Sequence, residues 1–244
     1  CRLKICVTAS AAGCTLPRMP LLEISQLKKI YRTPDGGTQT VLDVPEFALE
    51  AKQQLALRGG SGTGKTTLLN CIAGILRPDS GQVRLDGTDI AVASESARDA
   101  LRARNLGYIF QTFNLLQGYT CLENVLLGMS FGAGANRSRA RELLKRVGLA
   151  DRLDYRPAQL SVGQQQRVAV ARALANAPKL VLADEPTGNL DPANARDALT
   201  LIREICTETG AALLIVSHDQ LVLEQFEDGA DLAEINHAMR EVAA

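Results

Sequence analysis

The reading turns on Gln54-Leu55-Ala56-Leu57-Arg58-Gly59-Gly60-Ser61-Gly62-Thr63-Gly64-Lys65-Thr66. Its first five residues read as a short strand, and the next eight match G-x-x-x-x-G-K-[ST]. Residues 64–76 then read as a helix. A loop of this composition between strand and helix suits an anion. Its glycines let the backbone bend until several N–H groups converge, and the helix N-terminus adds partial positive charge. Lys65 can reach β- and γ-phosphates, and the Thr66 hydroxyl can hold Mg²⁺. The expected phosphate-binding set is Gly59, Gly60, Ser61, Gly62, Thr63, Gly64, Lys65, Thr66 and Thr67. The motif alone does not choose among kinases, GTPases and ATPases.

Upstream, residues 21–27 alternate apolar and polar as a strand does, and Pro34-Asp35-Gly36-Gly37 signals a turn. Two short strands are expected at 40–44 and 46–50. Downstream come a strand at 83–86, a polar helix at 94–104 and a short strand at 108–110. Residues 112–177 carry no strand pattern and three helical ones, at 122–129, 137–147 and 163–176. Strand–helix alternation resumes with a strand at 179–183, a helix at 192–208, a strand at 211–216 and a helix at 220–226. Such alternation predicts a mostly parallel sheet flanked by helices, with 112–177 a helical insertion. Leu232, Ile235, Met239 and Val242 stand at helical spacing, so a helical tail is expected over about 229–244.

Leu180-Val181-Leu182-Ala183-Asp184-Glu185 is an apolar strand ending in two acids. Burying it places Asp184 at the sheet's carboxyl edge, where open α/β sheets bind ligands. There Asp184 can hold Mg²⁺, and Glu185 is a candidate general base for an attacking water. Asp191 and Pro192 suit the cap and first turn of the next helix. Ser161-x-x-Gln164 reads as a capping box opening another helix, whose N-terminus can accept an anion.

These motifs stand in the order found in the ATP-binding-cassette (ABC) ATPases, which the chain resembles from Leu21 to about Glu227. Leu160-Ser161-Val162-Gly163-Gln164 looks like the family signature, normally LSGGQ, and continues into Gln165-Gln166-Arg167-Val168-Ala169-Val170-Ala171-Arg172-Ala173-Leu174. Val162 departs from the usual glycine. Gln111 resembles the Q-loop glutamine, Gly188-Asn189-Leu190-Asp191 the D-loop, His218 the switch histidine and Tyr31 the A-loop aromatic that stacks on adenine. The resemblance implies a P-loop NTPase core with a mostly parallel sheet, a small antiparallel β subdomain and an inserted α-helical subdomain. It implies ATP and Mg²⁺ as cofactors and ATP hydrolysis as the reaction. Glu185, His218 and Gln111 would be catalytic, and Thr66, Gln111 and Asp184 would organise the metal. Ser161, Gly163 and Gln164 would meet nucleotide across a homodimer, or a pseudo-dimer, that sandwiches ATP.

Phe113-Asn114-Leu115-Leu116, Leu122-Glu123-Asn124-Val125 and Ala183 to Asp191 resemble the lipoprotein-release, macrolide-exporter and cell-division branch. That implies a subunit powering a separate integral-membrane permease, which docks near Phe113 to Glu123. The subunit would be cytoplasmic and peripheral on the inner membrane. A regulatory ATPase that drives a membrane complex without moving a solute is the alternative, and the permease partner decides between them.

Composition agrees. The 244 residues carry 27 basic and 27 acidic side chains, so nothing favours nucleic-acid binding by bulk charge. The longest wholly apolar run is residues 211–216, far below the roughly 18 residues of a membrane span. Five Phe, four Tyr and no Trp leave little for a stacking platform. The six cysteines include no CxxC pair and read as reduced thiols. Residues 1–18 hold three basic residues and no acid. They are weighed as a signal peptide and read instead as a doubtful or disordered leader, with Met19 opening the ATPase domain over 19–244.

Overall fold

Apolar runs with both faces covered build the centre of the molecule. The computed structural model describes residues 19–239; the leader at 1–18 and Val242 of the expected tail lie outside the described residues. Strands β3 (Gln54–Arg58), β6 (Leu106–Ile109), β7 (Leu180–Asp184), β8 (Ala212–Ser217) and β9 (Asp228–Asp231) form a sheet in the order β6-β7-β8-β3-β9. Every neighbouring pair is parallel. Strands β7 and β8 are buried along their whole lengths, as an interior parallel sheet requires.

Their side chains divide by the two-residue period of a strand. Leu180, Leu182, Leu214 and Val216 join the core under a second sheet, together with Leu68, Leu69 and Ile72 of α1 (Lys65–Ile72). Val181, Ala183, Leu213 and Ile215 join the core formed with the helices on the other face. Each such leucine or valine contributes about 1.5–3 kcal/mol when fully buried, so neither face of β7 or β8 accepts a polar residue cheaply.

The second sheet is antiparallel, in the order β2-β1-β4-β5, from β1 (Leu22–Arg32), β2 (Thr38–Leu49), β4 (Ser80–Leu85) and β5 (Thr88–Asp89). The two strands expected at 40–44 and 46–50 are one. Pro45 does not interrupt β2 because this is an edge strand, where a missing N–H leaves no ladder partner wanting. The register slips between Lys29 and Ile30, which face Leu42 and Thr40, so Val41 is an extra, bulged residue.

Between β6 and β7 lie α3 (Cys121–Ser130), α4 (Arg137–Arg146), a 3₁₀ turn at Pro157–Gln159 and α5 (Val162–Ala173). The capping box that opens α5 is formed: Gln164 N–H donates to Ser161 Oγ at 3.3 Å and Ser161 N–H to Gln164 Oε1 at 3.0 Å. Val162 occupies the first helical position, half exposed, and leaves this cap intact. Helix α6 (Pro192–Thr209) is capped by Asp191 and ends at Gly210, whose φ of 69° suits glycine. The polar helix α2 (Glu95–Asn105) lies between β5 and β6, and the helix expected at 220–226 shortens to α7 (Gln220–Leu223).

The helical tail needs correction. Asp228–Asp231 is strand β9, paired with β3, because its backbone completes the sheet edge. Among the described residues of the expected tail, the helical spacing is met by α8 (Leu232–Ile235) and a 3₁₀ turn, His237–Met239. Asn236 separates them with φ −95° and ψ 99°, outside the helical region.

Candidate functional site

Because β7 and β8 are parallel neighbours, their carboxyl ends open beside the loop that follows β3. A cavity of about 470 Å³ lies there, lined by residues 60–67 with Val41, Gln111, Asp184, Glu185 and His218. The loop is fixed at both ends. Gly59 N–H donates to Ser217 O on β8 at 3.2 Å, and Leu68 N–H to Gly64 O at 2.8 Å, the first turn of α1. Gly64 has φ 90°, and a Cβ there would stand 2.9 Å from Leu42 and 3.1 Å from Val41 O. Only glycine fits between helix and sheet at that point.

Lys65 is held at its tip. Its Nζ donates to Gly59 O at 2.9 Å and Gly60 O at 2.8 Å, and lies 2.8 Å from Glu185 Oε1. His218 Nδ1 stands 3.1 Å from the other oxygen of Glu185. Glu185 therefore bridges a lysine from the loop and a histidine from the end of β8, with its N–H on Val216 O. Its φ of 43° is left-handed, a strained conformation for a non-glycine residue that its surroundings must impose. Burial raises its carboxyl pKa, but the hydrogen bonds and charges of Lys65 and His218 outweigh this and hold it below the usual value. Asp184 behaves oppositely. Burial pushes its carboxyl up, against the hydrogen bond from Thr66 Oγ1 at 2.7 Å.

The cavity brings together Gly60, Ser61, Gly62, Thr63, Gly64, Lys65, Thr66, Thr67, Gln111, Asp184, Glu185 and His218 of the expected set. Gly59 stands just behind, where a Cβ would meet Thr63 Oγ1 at 2.8 Å. Gln111 follows β6; its carbonyl accepts from Asn189 Nδ2 at 2.7 Å, which links the segment to the loop before α6. Tyr31 does not line the cavity: it pairs with Gln39 in the antiparallel sheet, 41% exposed, with Lys29 Nζ 5.7 Å from its ring centroid. Ser161, Gly163 and Gln164 do not line it either; they sit at the N-terminus of α5.

The segment expected near the permease, Phe113 to Glu123, divides between core and surface. Phe113 and Leu115 pack in the core, only 9% and 7% exposed, whereas Leu116 and Tyr119 of the same segment face outward. Phe113 and Asn114 take left-handed φ values of 58° and 49°. Arg172 on α5 grips both, donating to Phe113 O at 2.7 Å and Asn114 O at 2.6 Å. Val41 in the cavity wall and the buried Asn236 behind the loop were not among the expected site residues. A polar residue inside an otherwise apolar helical spacing was the only signal for Asn236.

The donor set suits Mg²⁺ beside phosphate. Among the described residues, no group of three or more His, Cys, Asp and Glu could enclose a metal. Asp184 and Thr66 instead offer one carboxylate and one hydroxyl, the sparse oxygen set Mg²⁺ takes when phosphates and water complete its shell.

The fold and the site define a P-loop nucleotide-binding ATPase. Residues 42–188 match the family model described as ABC transporter. The "Lipoprotein-releasing system ATP-binding protein LolD 2" of Rhodospirillum rubrum is 45% identical over 208 residues, covering 84% of this chain and 90% of that protein. The protein of the same name from Caulobacter vibrioides is 42% identical over 203 residues, 82% and 89% of the two. The "Macrolide export ATP-binding/permease protein MacB" of Syntrophobacter fumaroxidans is 42% identical over 216 residues, but the chain spans only 29% of its length. Among solved structures, the dimeric post-hydrolysis state of the ATP-binding cassette MJ0796 bound to ADP and Pi superposes with a TM-score of 0.79 at 33% identity, over 86% of this chain and 93% of that one. The chain belongs to the ABC transporter family.

Proposed function

We propose that this chain is the ATP-hydrolysing subunit of a lipoprotein-release or export transporter, acting as a head-to-tail dimer on a separate membrane permease. The observation that carries the site reading is the convergence of Lys65, Glu185 and His218 next to the Thr66–Asp184 hydrogen bond. Lys65 and the loop N–H groups would neutralise and orient the phosphates of ATP, which is most of what phosphoryl transfer asks of a protein. Thr66 and Asp184 would hold Mg²⁺, with Gln111 close by; the ion, when bound, supplies charge neutralisation across the phosphates. Glu185 polarises water as general base, and His218 fixes the carboxylate's orientation. Ser161, Gly163 and Gln164 are assigned to the partner's nucleotide, because they lie away from this chain's own cavity and on a capped helix N-terminus suited to an anion. Tyr31, exposed at the end of β1, is assigned to the adenine base.

The relatives support the transport reading by name: two are ATP-binding proteins of lipoprotein-releasing systems and one is a macrolide export ATP-binding/permease protein. No helix among the described residues is long and apolar enough to cross a membrane; docking on the permease is the membrane contact proposed. Placement at the cytoplasmic face follows from such docking. The test joins two measurements. Purified protein should hydrolyse ATP with Mg²⁺, and Lys65→Ala should weaken ATP binding. Affinity purification from membranes should bring down a permease. Unchanged ATP affinity in Lys65→Ala would reject the site, and recovery without any membrane protein would reject the transport reading.

A further inference from the structure

Asn236 is fully buried, and all four hydrogen-bonding positions of its side-chain amide are used. Its Nδ2 donates to Val41 O at 2.9 Å and to Thr63 O at 3.2 Å. Its Oδ1 accepts from Asp43 N–H at 2.8 Å and Ala238 N–H at 3.3 Å. One side chain from the C-terminal segment thus joins the outer edge of β2 to the phosphate loop.

Two consequences bear on the cavity. Val41 is the bulged residue of β2 and lines the cavity, so its position is not set by pairing with β1; Asn236 supplies a fixed partner instead. Thr63 precedes Gly64, and the described chain has no cis peptide bond. In a trans peptide the C=O and the following N–H point in opposite directions. Holding Thr63 O back against Asn236 therefore turns Gly64 N–H away from Asn236 and toward the cavity that Gly64 lines. The amide sets the direction of a phosphate-loop donor.

We propose that Asn236 is a positioning residue of the nucleotide site, orienting the phosphate loop and the Val41 wall from outside the cavity. This rests on the reading of the cavity as the ATP site. Asn236 does not line the cavity, and its effect falls on affinity rather than on the chemical step. Binding of ATP and ADP is measured by calorimetry with Mg²⁺ on the full chain, alongside steady-state hydrolysis and thermal melting. Asn236→Ala should raise the Kd of both nucleotides about tenfold while kcat at saturating ATP stays within twofold, the pattern of lost uniform binding.

Leu232→Ala is the control. It opens a hole under the same segment, at a fully buried side chain, without removing the amide. It should lower the melting temperature and leave both Kd values within twofold. If Asn236→Ala does not fold, Asn236→Asp keeps the volume and replaces the two donated bonds with repulsion, and should show the same rise. Unchanged affinity in the folded variant, a fall in kcat without a change in Kd, or an equal rise in Leu232→Ala would each overturn the proposal. A wild-type protein that binds no ATP would instead refute the site reading beneath it.

Discussion

Replacing Glu185 by Gln tests the centre of the site, because two effects of opposite sign should appear together. Lys65 has three N–H donors, and all three are occupied: by Gly59 O, Gly60 O and the Glu185 carboxylate. An arriving phosphate must displace one of them, and Glu185 is the anionic competitor. Changing the carboxylate to an amide turns a charge–charge contact at 2.8 Å into a charge–dipole one. The two differ by about 1–2 kcal/mol in net worth, or roughly 5- to 30-fold in an equilibrium constant. ATP should therefore bind about tenfold more tightly. Turnover should fall about 10²- to 10⁴-fold, the usual contribution of a general base. Calorimetry with Mg²⁺ reads the first, and phosphate release under saturating ATP reads the second. A third readout follows from pH. The folded Glu185 carboxyl lies below its ordinary value, so its contribution to stability is complete at neutral pH and is lost as pH falls through the folded pKa. The variant should lack that part of the acid limb. Near-normal turnover would reject Glu185 as the base, and unchanged or weaker ATP binding would refute the competition for Lys65.

Three further outcomes are expected. Asp184 has its pKa raised by burial, so the fold gains stability from this group as pH falls; Asp184→Asn should melt higher than wild type at pH 7 without nucleotide while losing Mg²⁺-dependent hydrolysis, and a lower melting temperature would contradict the sign. Arg172→Met removes two charge-assisted bonds from the left-handed pair Phe113 and Asn114. That should cost about 3 kcal/mol, seen as a drop of about 6–12 °C, with Arg172→Lys recovering about half; a drop under about 2 °C would show that the backbone needs no such grip. Leu116→Ser with Tyr119→Ser should reduce co-purification with a permease and spare ATP binding, whereas Leu115→Ala should lower stability by about 2–5 kcal/mol; undiminished co-purification would move the docking surface elsewhere.

The elements around the loop were legible because their causes are local. The strand before Gly59 and the helix after it follow from residues within a few positions of each other. The capping box at Ser161 and Gln164 formed as read, since both partners lie within one turn. The apolar run of β7 announced a doubly covered strand, and the acids at its end could only emerge at the sheet's edge. What was not legible has a different cause. Residues 40–50 read as two strands and not one because the edge position that lets Pro45 sit inside β2 is invisible from composition. Which apolar side chains of the Phe113 to Glu123 segment face the core and which face outward was likewise not legible, because nothing local tells an apolar side chain which way it faces.

By itself the sequence determined the phosphate loop, the order of strand and helix from β3 to β8 apart from the two-residue β5, and the residue types around the cavity, since each depends on short spacings and on the two periods of regular structure. Only the tertiary structure decided that Glu185 is strained and shared between Lys65 and His218, that Val41 is bulged into the cavity wall, and that Asn236 braces the loop from behind. Asp43 and Asn236 stand 193 positions apart, and Thr66 and Asp184 are separated by 118. Contacts over such distances are set by strand order and register, which arise only when the two sheets pack, and no window of the chain contains them.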